Sequence, residues 1–214
     1  MRATQDINYV SAAEAVRLIE SGDHIYLQGS TSTPELLEQA LADRGHELRD
    51  VTVITGFGVC RGESPLCRPE FKDTFLVNSF FVNNSFRKWI NEGYGSMTPR
   101  FLGEVPQLIR DGTWRVDVVL LNCSMPNEDG LVSFGVSGDV ACSAVESADR
   151  IIAQINPNMP FSYGDPTVHI SKIDACVRCD TPLVEVPTSE PTEAEIRIGE
   201  YIAERIPDGA TLQI

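Results

Sequence analysis

Apolar and polar residues along this chain follow two periods, and the switches between them lay out a series of strand and helix units. Ser11-x-x-Glu14 reads as a capping box opening a helix over Ala12 to Ser21, with Ala12, Ala15, Val16 and Ile19 on one face. His24 to Gln28 alternates as a strand, and Gly29-Ser30-Thr31-Ser32 follows as a small-residue loop. Thr33 is the expected N-cap and Pro34 the first helical residue of a second helix that turns Leu36, Leu37, Ala40 and Leu41 inward. Val51 to Thr55 is a β-branched strand that opens into a Gly/Pro-rich loop from Gly56 to Pro69. A connection of that length usually carries function.

Thr74 to Val77 reads as another strand, and Ser85 to Glu92 as a helix ended by Gly93. Val116 to Leu121 is almost wholly apolar, the pattern of a parallel strand covered on both faces, and is expected at the centre of the sheet. Ser137 is expected to cap a helix carrying Val140, Ala141, Ala144, Val145 and Ala148, which leads into a strand over Ile151 to Ile155. Ile173 to Val177 reads as a further strand. Strands alternating with helices predict an α/β domain with an open, mostly parallel sheet flanked by helices.

Pro182, Pro187 and Pro191 break this pattern, and Thr192-x-x-Glu195 forms a second capping box for a helix reaching about Arg205. The residues that follow repeat the opening of the chain: Gly209 answers to Gly22, Leu212 to Ile25 and Ile214 to Leu27. Residues 1–186 are therefore expected to form one domain. Residues 187–214 are expected to supply a connector helix and the first strand of a second, truncated domain of similar build.

The 214 residues carry a formal charge of −14, with 42% hydrophobic residues. A sizeable core is affordable in apolar side chains, while nucleic acid and acidic membrane surfaces are disfavoured as partners. No apolar run approaches the roughly 20 residues of a membrane helix, and Met1 to Asp6 has no apolar signal core, so the expected compartment is the cytoplasm. The six cysteines are scattered in a chain too long to need disulfide staples, and reduced thiols are expected. Cys176-x-x-Cys179 matches a redox or zinc spacing, but it lies in a strand-like stretch with no second pair or nearby histidine, which favours structural thiols.

In parallel α/β sheets, ligands bind where the carboxyl ends of strands feed loops and helix N-termini. Two loops have that placement. One runs from Gly29 to Pro34, where small residues let a ligand approach backbone N–H groups. The other is Gly56-Phe57-Gly58-Val59. Its glycine spacing suggests a dinucleotide fingerprint, yet Glu63 to Pro69 cannot supply the required helix. Phe134-Gly135-Val136-Ser137-Gly138 is not a nucleophile elbow, and His24, His46 and His169 show no metal-ligand spacing. His169, between Val168 and Ile170, reads as a satisfied core histidine rather than a base. Asn156-Pro157-Asn158-Met159-Pro160 follows a buried strand and serves equally as a rigid crossover or as the stiff wall of a substrate pocket.

Several segments in this order resemble the amino-terminal domain of the acetyl-CoA hydrolase/transferase family. They are Ser21-Gly22-Asp23 with the strand and loop through Pro34, Asn78-Ser79-Phe80-Phe81, Asn91-Glu92-Gly93, and Asp129-Gly130 through Ser137. They continue with Gln154 to Pro160, Gly164-Asp165 through Asp174, and Asp208-Gly209-Ala210-Thr211-Leu212-Gln213. The resemblance implies two similar α/β domains facing each other across an acyl-CoA site. It further implies a glutamate in the second domain that attacks the thioester, passing through an acyl-glutamyl anhydride and a glutamyl-CoA thioester before a second carboxylate takes the CoA. On this reading the present residues include no catalytic group, metal ligand or covalently bound cofactor, and alone they are inactive.

Coenzyme A, the acyl group and a small carboxylic acid are the implied substrates, with the second domain, and a further copy of the chain in a homo-oligomer, as the implied partners. The implied substrate-facing residues are Gly29, Ser30, Thr33, Pro34, Gly56, Phe57, Gly58, Val59, Asn156, Pro157, Met159 and Pro160, with the Gly56 to Val59 loop the preferred source of an oxyanion-binding N–H. The family often has glycines where this chain has Ser30-Thr31-Ser32, which implies a tighter acyl pocket or a changed substrate. Two alternatives stand beside transfer: acyl-CoA hydrolysis, with water resolving the intermediate, and a stand-alone binding domain that needs a partner chain.

Overall fold

A computed structural model describes residues 7–56, 61–185 and 189–213, which fall into two units, residues 1–184 and 185–214. In the first unit, eight strands form one sheet: β1 (Tyr9–Val10), β2 (His24–Leu27), β3 (Val51–Thr55), β4 (Phe75–Ser79), β5 (Gly95–Met97), β6 (Val118–Cys123), β8 (Arg150–Ile155) and β10 (Ala175–Arg178). Their spatial order is β1-β10-β8-β6-β2-β3-β4-β5, and every ladder is parallel. β7 (Leu131–Ser133) and β9 (Thr167–His169) form a separate antiparallel pair. The chain lays strands β2 to β5 outward in one direction, then returns to place β6 on the other side of β2. The order therefore reverses between β2 and β6, the position at which open parallel sheets bind ligands.

Helices cover both faces. Ile25, Val53, Val118, Leu120, Ile152 and Val177 pack with residues of α1 (Ala12–Ala15), α2 (Glu35–Asp43) and α3 (Asn84–Asn91). Their sequence neighbours Ile54, Val119, Leu121, Ala153 and Cys176 point the other way and pack with α4 (Val105–Arg110) and α5 (Ala141–Ser147). Every residue of β6 is buried, as expected for the central strand. At about 25 cal/mol per Å² of apolar surface, such two-sided burial is the dominant favourable contribution to folding.

The Ser11–Glu14 capping box forms, but the α-helix it opens ends at Ala15 and passes into a 3-10 turn over Val16–Leu18. Thr33 does not cap α2: Pro34 holds the N-cap position, and the Thr33 hydroxyl donates instead to Ser30 O at 3.0 Å. Nor does Ser137 cap α5, which starts after Val140. The Ser137 hydroxyl faces Asp139, whose carboxylate accepts from the Val140 N–H, so the loop is closed by local bonds before the helix begins. The expected strand around His169 exists, but it belongs to the antiparallel pair, where the imidazole Nδ1 meets the Ser171 hydroxyl at 2.7 Å near the surface and not in the core.

An aspartate precedes each of five strands. Asp23, Asp50, Asp117, Asp149 and Asp174 stand immediately before β2, β3, β6, β8 and β10. Asp117 accepts from the His24 N–H at 2.7 Å and from Arg115 Nε at 2.6 Å. Asp174 accepts from the Ile151 N–H at 2.7 Å, and Asp23 pairs with Arg150 at 2.9 Å. Asp50 takes a left-handed backbone (φ 55°), a conformation its short polar side chain tolerates.

The second unit contains α6 (Glu193–Ala203), opened by the Thr192–Glu195 capping box that its sequence predicts. Gly209 adopts φ 80°, close to the 85° of Gly22, so both copies of the repeated turn place a glycine in the left-handed region. Residues 210–213 make no ladder among the described residues, in contrast to the expected strand. A lone strand with no neighbour to pair with has no source of stability.

Candidate functional site

The carboxyl ends of β2, β6 and β8 are tied together by amide side chains. Gln28 follows β2 and is fully buried. Its Nε2 donates to Phe134 O at 2.9 Å and Ser137 O at 2.8 Å, while its Oε1 accepts from the Asn122 N–H at 2.8 Å. One side chain thus fixes the β2 and β6 ends to the loop before α5. Asn156, after β8, donates through Nδ2 to Thr181 O and accepts from the Asn158 N–H.

Beside these saturated amides stand two that are not. Asn122 on β6 and Gln154 on β8 are register partners, so their side chains leave the same face of the sheet. That face carries Leu120 and Ile152 one rung earlier, packed in the core. Both amides are buried, yet Asn122 Oδ1 and Gln154 Oε1 have no hydrogen-bond partner among the described residues. Among the described residues, Gln154 Nε2 meets only the Cys179 sulfur, at 3.4 Å. An uncompensated buried polar atom costs about 1–3 kcal/mol, so such atoms in a native fold call for a reason.

Both amides line a small cavity of about 20 Å³, room for one water-sized group. Thr31, Thr33, Asn156 and Arg61 complete much of its wall. Arg61 is neutralised there by Glu35 at 2.5 Å and also donates to Pro182 O. A larger open groove of about 430 Å³ runs past Ile7, Val10, Ser171 and Asp174 along the β1–β10 edge, away from the switch point.

Of the expected site residues, Thr33 and Asn156 meet at the small cavity. Gly29 and Pro34 are buried in the same loop as Thr33, and Ser30 adopts a left-handed backbone (φ 56°), strained for a residue with a Cβ. A glycine in that place would be relaxed, so the serine has a backbone cost. The first turn of α2 already holds two carboxyls of its own, Glu35 and Glu38, which weakens its standing as a seat for an anion. Gly56 is buried beneath Phe80, whose ring would lie 2.0 Å from an added Cβ, and its carbonyl accepts from Asn83 Nδ2. Phe57, Gly58 and Val59 lie outside the described residues.

In the Asn156 to Pro160 segment, Pro157 and Pro160 face outward and Met159 inward. Met159 fills the space above Gly135, whose φ of 67° and close approach both require glycine. Cys176 lies in β10 as expected, and burial pushes its thiol up to about 11, which leaves it a poor nucleophile. No group of three or more His, Cys, Asp or Glu residues able to hold a metal is found among the described residues. No helix there is long and apolar enough to cross a membrane.

Sequence reasoning missed Asn122, Gln154 and Glu38. The signal for the first two was a single amide at the last inward position of an apolar strand, in Leu121-Asn122-Cys123 and Ala153-Gln154-Ile155. Glu38 sits among the apolar residues of α2, buried, with its Oε1 accepting from the Ser64 hydroxyl at 2.5 Å.

The N-terminal domain model of the acetyl-CoA hydrolase/transferase family matches residues 3–186. The chain is 35% identical to a 4-hydroxybutyrate coenzyme A transferase of Clostridium kluyveri over 96% of its length and 47% of that protein's. It is 32% identical to a succinyl-CoA:cyclohexane-1-carboxylate CoA transferase of Geobacter metallireducens, over 95% of its length and 46% of that protein's. The crystal structure of RipA from Yersinia pestis superposes with a TM-score of 0.88 at 29% identity, over 97% of this chain and 50% of RipA. The chain thus spans about half the length of the curated relatives it matches. Fold and sequence agree: the chain belongs to the acetyl-CoA hydrolase/transferase family, as its N-terminal domain.

Proposed function

We propose that this chain is the amino-terminal half of a cytoplasmic CoA-transferase that moves CoA between an acyl-CoA and a small carboxylic acid. The observation that carries the reading is the match of nearly the whole chain to one half of CoA transferases. The reversal of strand order between β2 and β6, with the Gly29 to Pro34 loop at its mouth, supports it. In this reading the nucleophilic glutamate lies in a second domain and forms the glutamyl-CoA thioester. Coenzyme A is a substrate and no cofactor is held covalently.

The present half contributes the facing wall: Gly29, Ser30, Thr33 and Pro34 on one side, Asn156, Pro157, Met159 and Pro160 on the other, and the Gly56 to Val59 loop as a source of backbone donors. A closed, dry site would favour transfer over hydrolysis, because water is the competing acceptor.

The test is an exchange assay with acetyl-CoA and an acceptor acid, run on the full-length protein and on residues 1–214 alone. CoA transfer that depends on the acceptor, and is lost in residues 1–214, is expected. Acceptor-independent release of free CoA would identify a hydrolase instead, and exchange by residues 1–214 would remove the need for a glutamate elsewhere.

A further inference from the structure

The two sides of the wall assigned above leave the sheet on strands that are not neighbours. The Gly29 to Pro34 loop follows β2 and the Asn156 to Pro160 segment follows β8, with β6 between them. Two strand spacings, about 10 Å, separate such loops at their roots, which is beyond the reach of a single hydrogen bond. A bridge in several steps crosses the gap. Glu35, next to Pro34, opens α2, and its carboxylate accepts from the Arg61 N–H at 3.2 Å and from Arg61 Nη1 at 2.5 Å. Arg61 Nη2 donates to Pro182 O at 2.5 Å. One residue earlier, Thr181 O accepts from Asn156 Nδ2 at 2.8 Å, and one earlier again the Asp180 carboxylate accepts from Asn158 Nδ2 at 3.0 Å. Asp180, Thr181 and Pro182 are exposed and lie in no helix or strand, so side chains tie them down on both sides in place of a ladder.

Stability alone is a poor reason for this arrangement of Arg61. Its side chain is about half exposed, where an ion pair contributes little because water competes for both charges. What a guanidinium adds over a simple charge is a rigid planar fork, and here the fork grips two segments that are distant in sequence. Its base is fixed as well, since Ser64, three residues on, docks the same stretch to α2 through Glu38. A group that adds little stability but joins two separate segments sets geometry.

We propose that Arg61 is a positioning residue for CoA transfer: by joining Glu35 to Pro182 O, it fixes the separation between the Gly29 to Pro34 side and the Asn156 to Pro160 side of the substrate wall. This inference rests on the CoA-transferase reading above. It adds to that reading a residue that acts through Glu35 and the Asp180 to Pro182 segment.

The test uses the full-length protein and its Arg61→Ala variant. With acetyl-CoA and an acceptor acid, kcat is expected to fall at least about tenfold, because reacting groups held about 1 Å out of place lose rate steeply. The urea midpoint should stay at the wild-type value, as expected for a half-exposed ion pair. A purely structural arginine would instead lower the midpoint and leave kcat unchanged, and that result overturns the proposal.

Hydrogen exchange followed by mass spectrometry needs no turnover. Peptides covering residues 156–162 and 179–184 should both exchange faster in Arg61→Ala, the first of them because the bridge transmits the loss from the second. Unchanged exchange in residues 156–162 overturns the proposal, since the two sides of the wall would then be set independently of Arg61. Absence of CoA transfer by the wild type with every acid overturns the CoA-transferase reading instead, and the exchange comparison then still decides whether Arg61 braces the two segments.

Discussion

The two ends of the same sheet are built to opposite rules. At the amino end, aspartates stand before five strands, and Asp117 and Asp174 each accept an N–H from a neighbouring strand. Asp23, Asp117 and Asp174 there are matched to partners, while Asp50 and Asp149 are exposed to solvent. At the carboxyl end, the side chains one rung before the end of the β6 and β8 ladder are buried amides whose oxygens find no partner among the described residues. A single strand, β6, joins Asp117 at one end to Asn122 at the other. The contrast separates what holds the domain together from what it keeps available. A fold optimised only for stability would have treated both ends alike, since a buried unmet acceptor costs about 1–3 kcal/mol, at least as much as a met one contributes.

Breaking the amino end should give the largest effect. Asp117→Ala removes the partner of the His24 N–H and of Arg115 Nε and is expected to cost about 4 kcal/mol in urea unfolding, the sum of lost charged hydrogen bonds and an orphaned donor. A cost below about 1 kcal/mol would show that the amino end is not the stabilising end.

Next is Glu38, on the helix that follows the carboxyl-end loop. Burial, opposed by the Ser64 hydroxyl and reinforced by Glu35, pushes its carboxyl up to about 7 from an ordinary 4.5. The folded state therefore holds a proton that the unfolded state has released between these values. This contribution to stability is fully present below pH 4.5, declines as pH rises and is gone above 7, a swing of about 3 kcal/mol. Glu38→Gln should flatten it, so that the stability difference between variant and wild type grows from pH 4.5 to 7 and then levels off. A difference constant over that range would place the titration elsewhere.

The smallest expected effect sharpens the comparison within the carboxyl end itself. Gly135→Ala forces a left-handed backbone on a residue with a Cβ and drives that Cβ into Met159, at a cost of about 2 kcal/mol in chemical denaturation. If the Asn156 to Pro160 segment is the substrate wall proposed above, displacing Met159 should also raise KM for the acid in the same variant. A stability loss with an unaltered KM would detach that wall from the substrate.

The central strand, the switch from strand to helix along most of the chain and both capping boxes were legible in the sequence because each depends on local periodicity or on residues three apart. The edges were not. β1, β5 and β7 have two or three residues, too few to show a period, and exist because a neighbouring strand holds them. Thr33 and Ser137 were misread as caps because a hydroxyl before a helical pattern has other nearby partners, Ser30 O and Asp139 respectively. Part of the candidate site was legible as loops after strands. Asn122, Gln154 and Glu38 were not, since their meaning lies in what surrounds them across residues distant in sequence.

The order of the strands in space also sets when each part of the sheet can form. β2 through β5 are consecutive neighbours and can assemble in the order of synthesis. β2 gains its other neighbour only when β6 arrives, as Leu27 meets Leu120, and β1 waits for Cys176 to reach Tyr9. Pairings this far apart in sequence slow the search for the native state. A nascent chain would hold a four-strand half-sheet with the inner edge of β2 bare until β6 emerges, and that interval is when self-association is the greatest hazard.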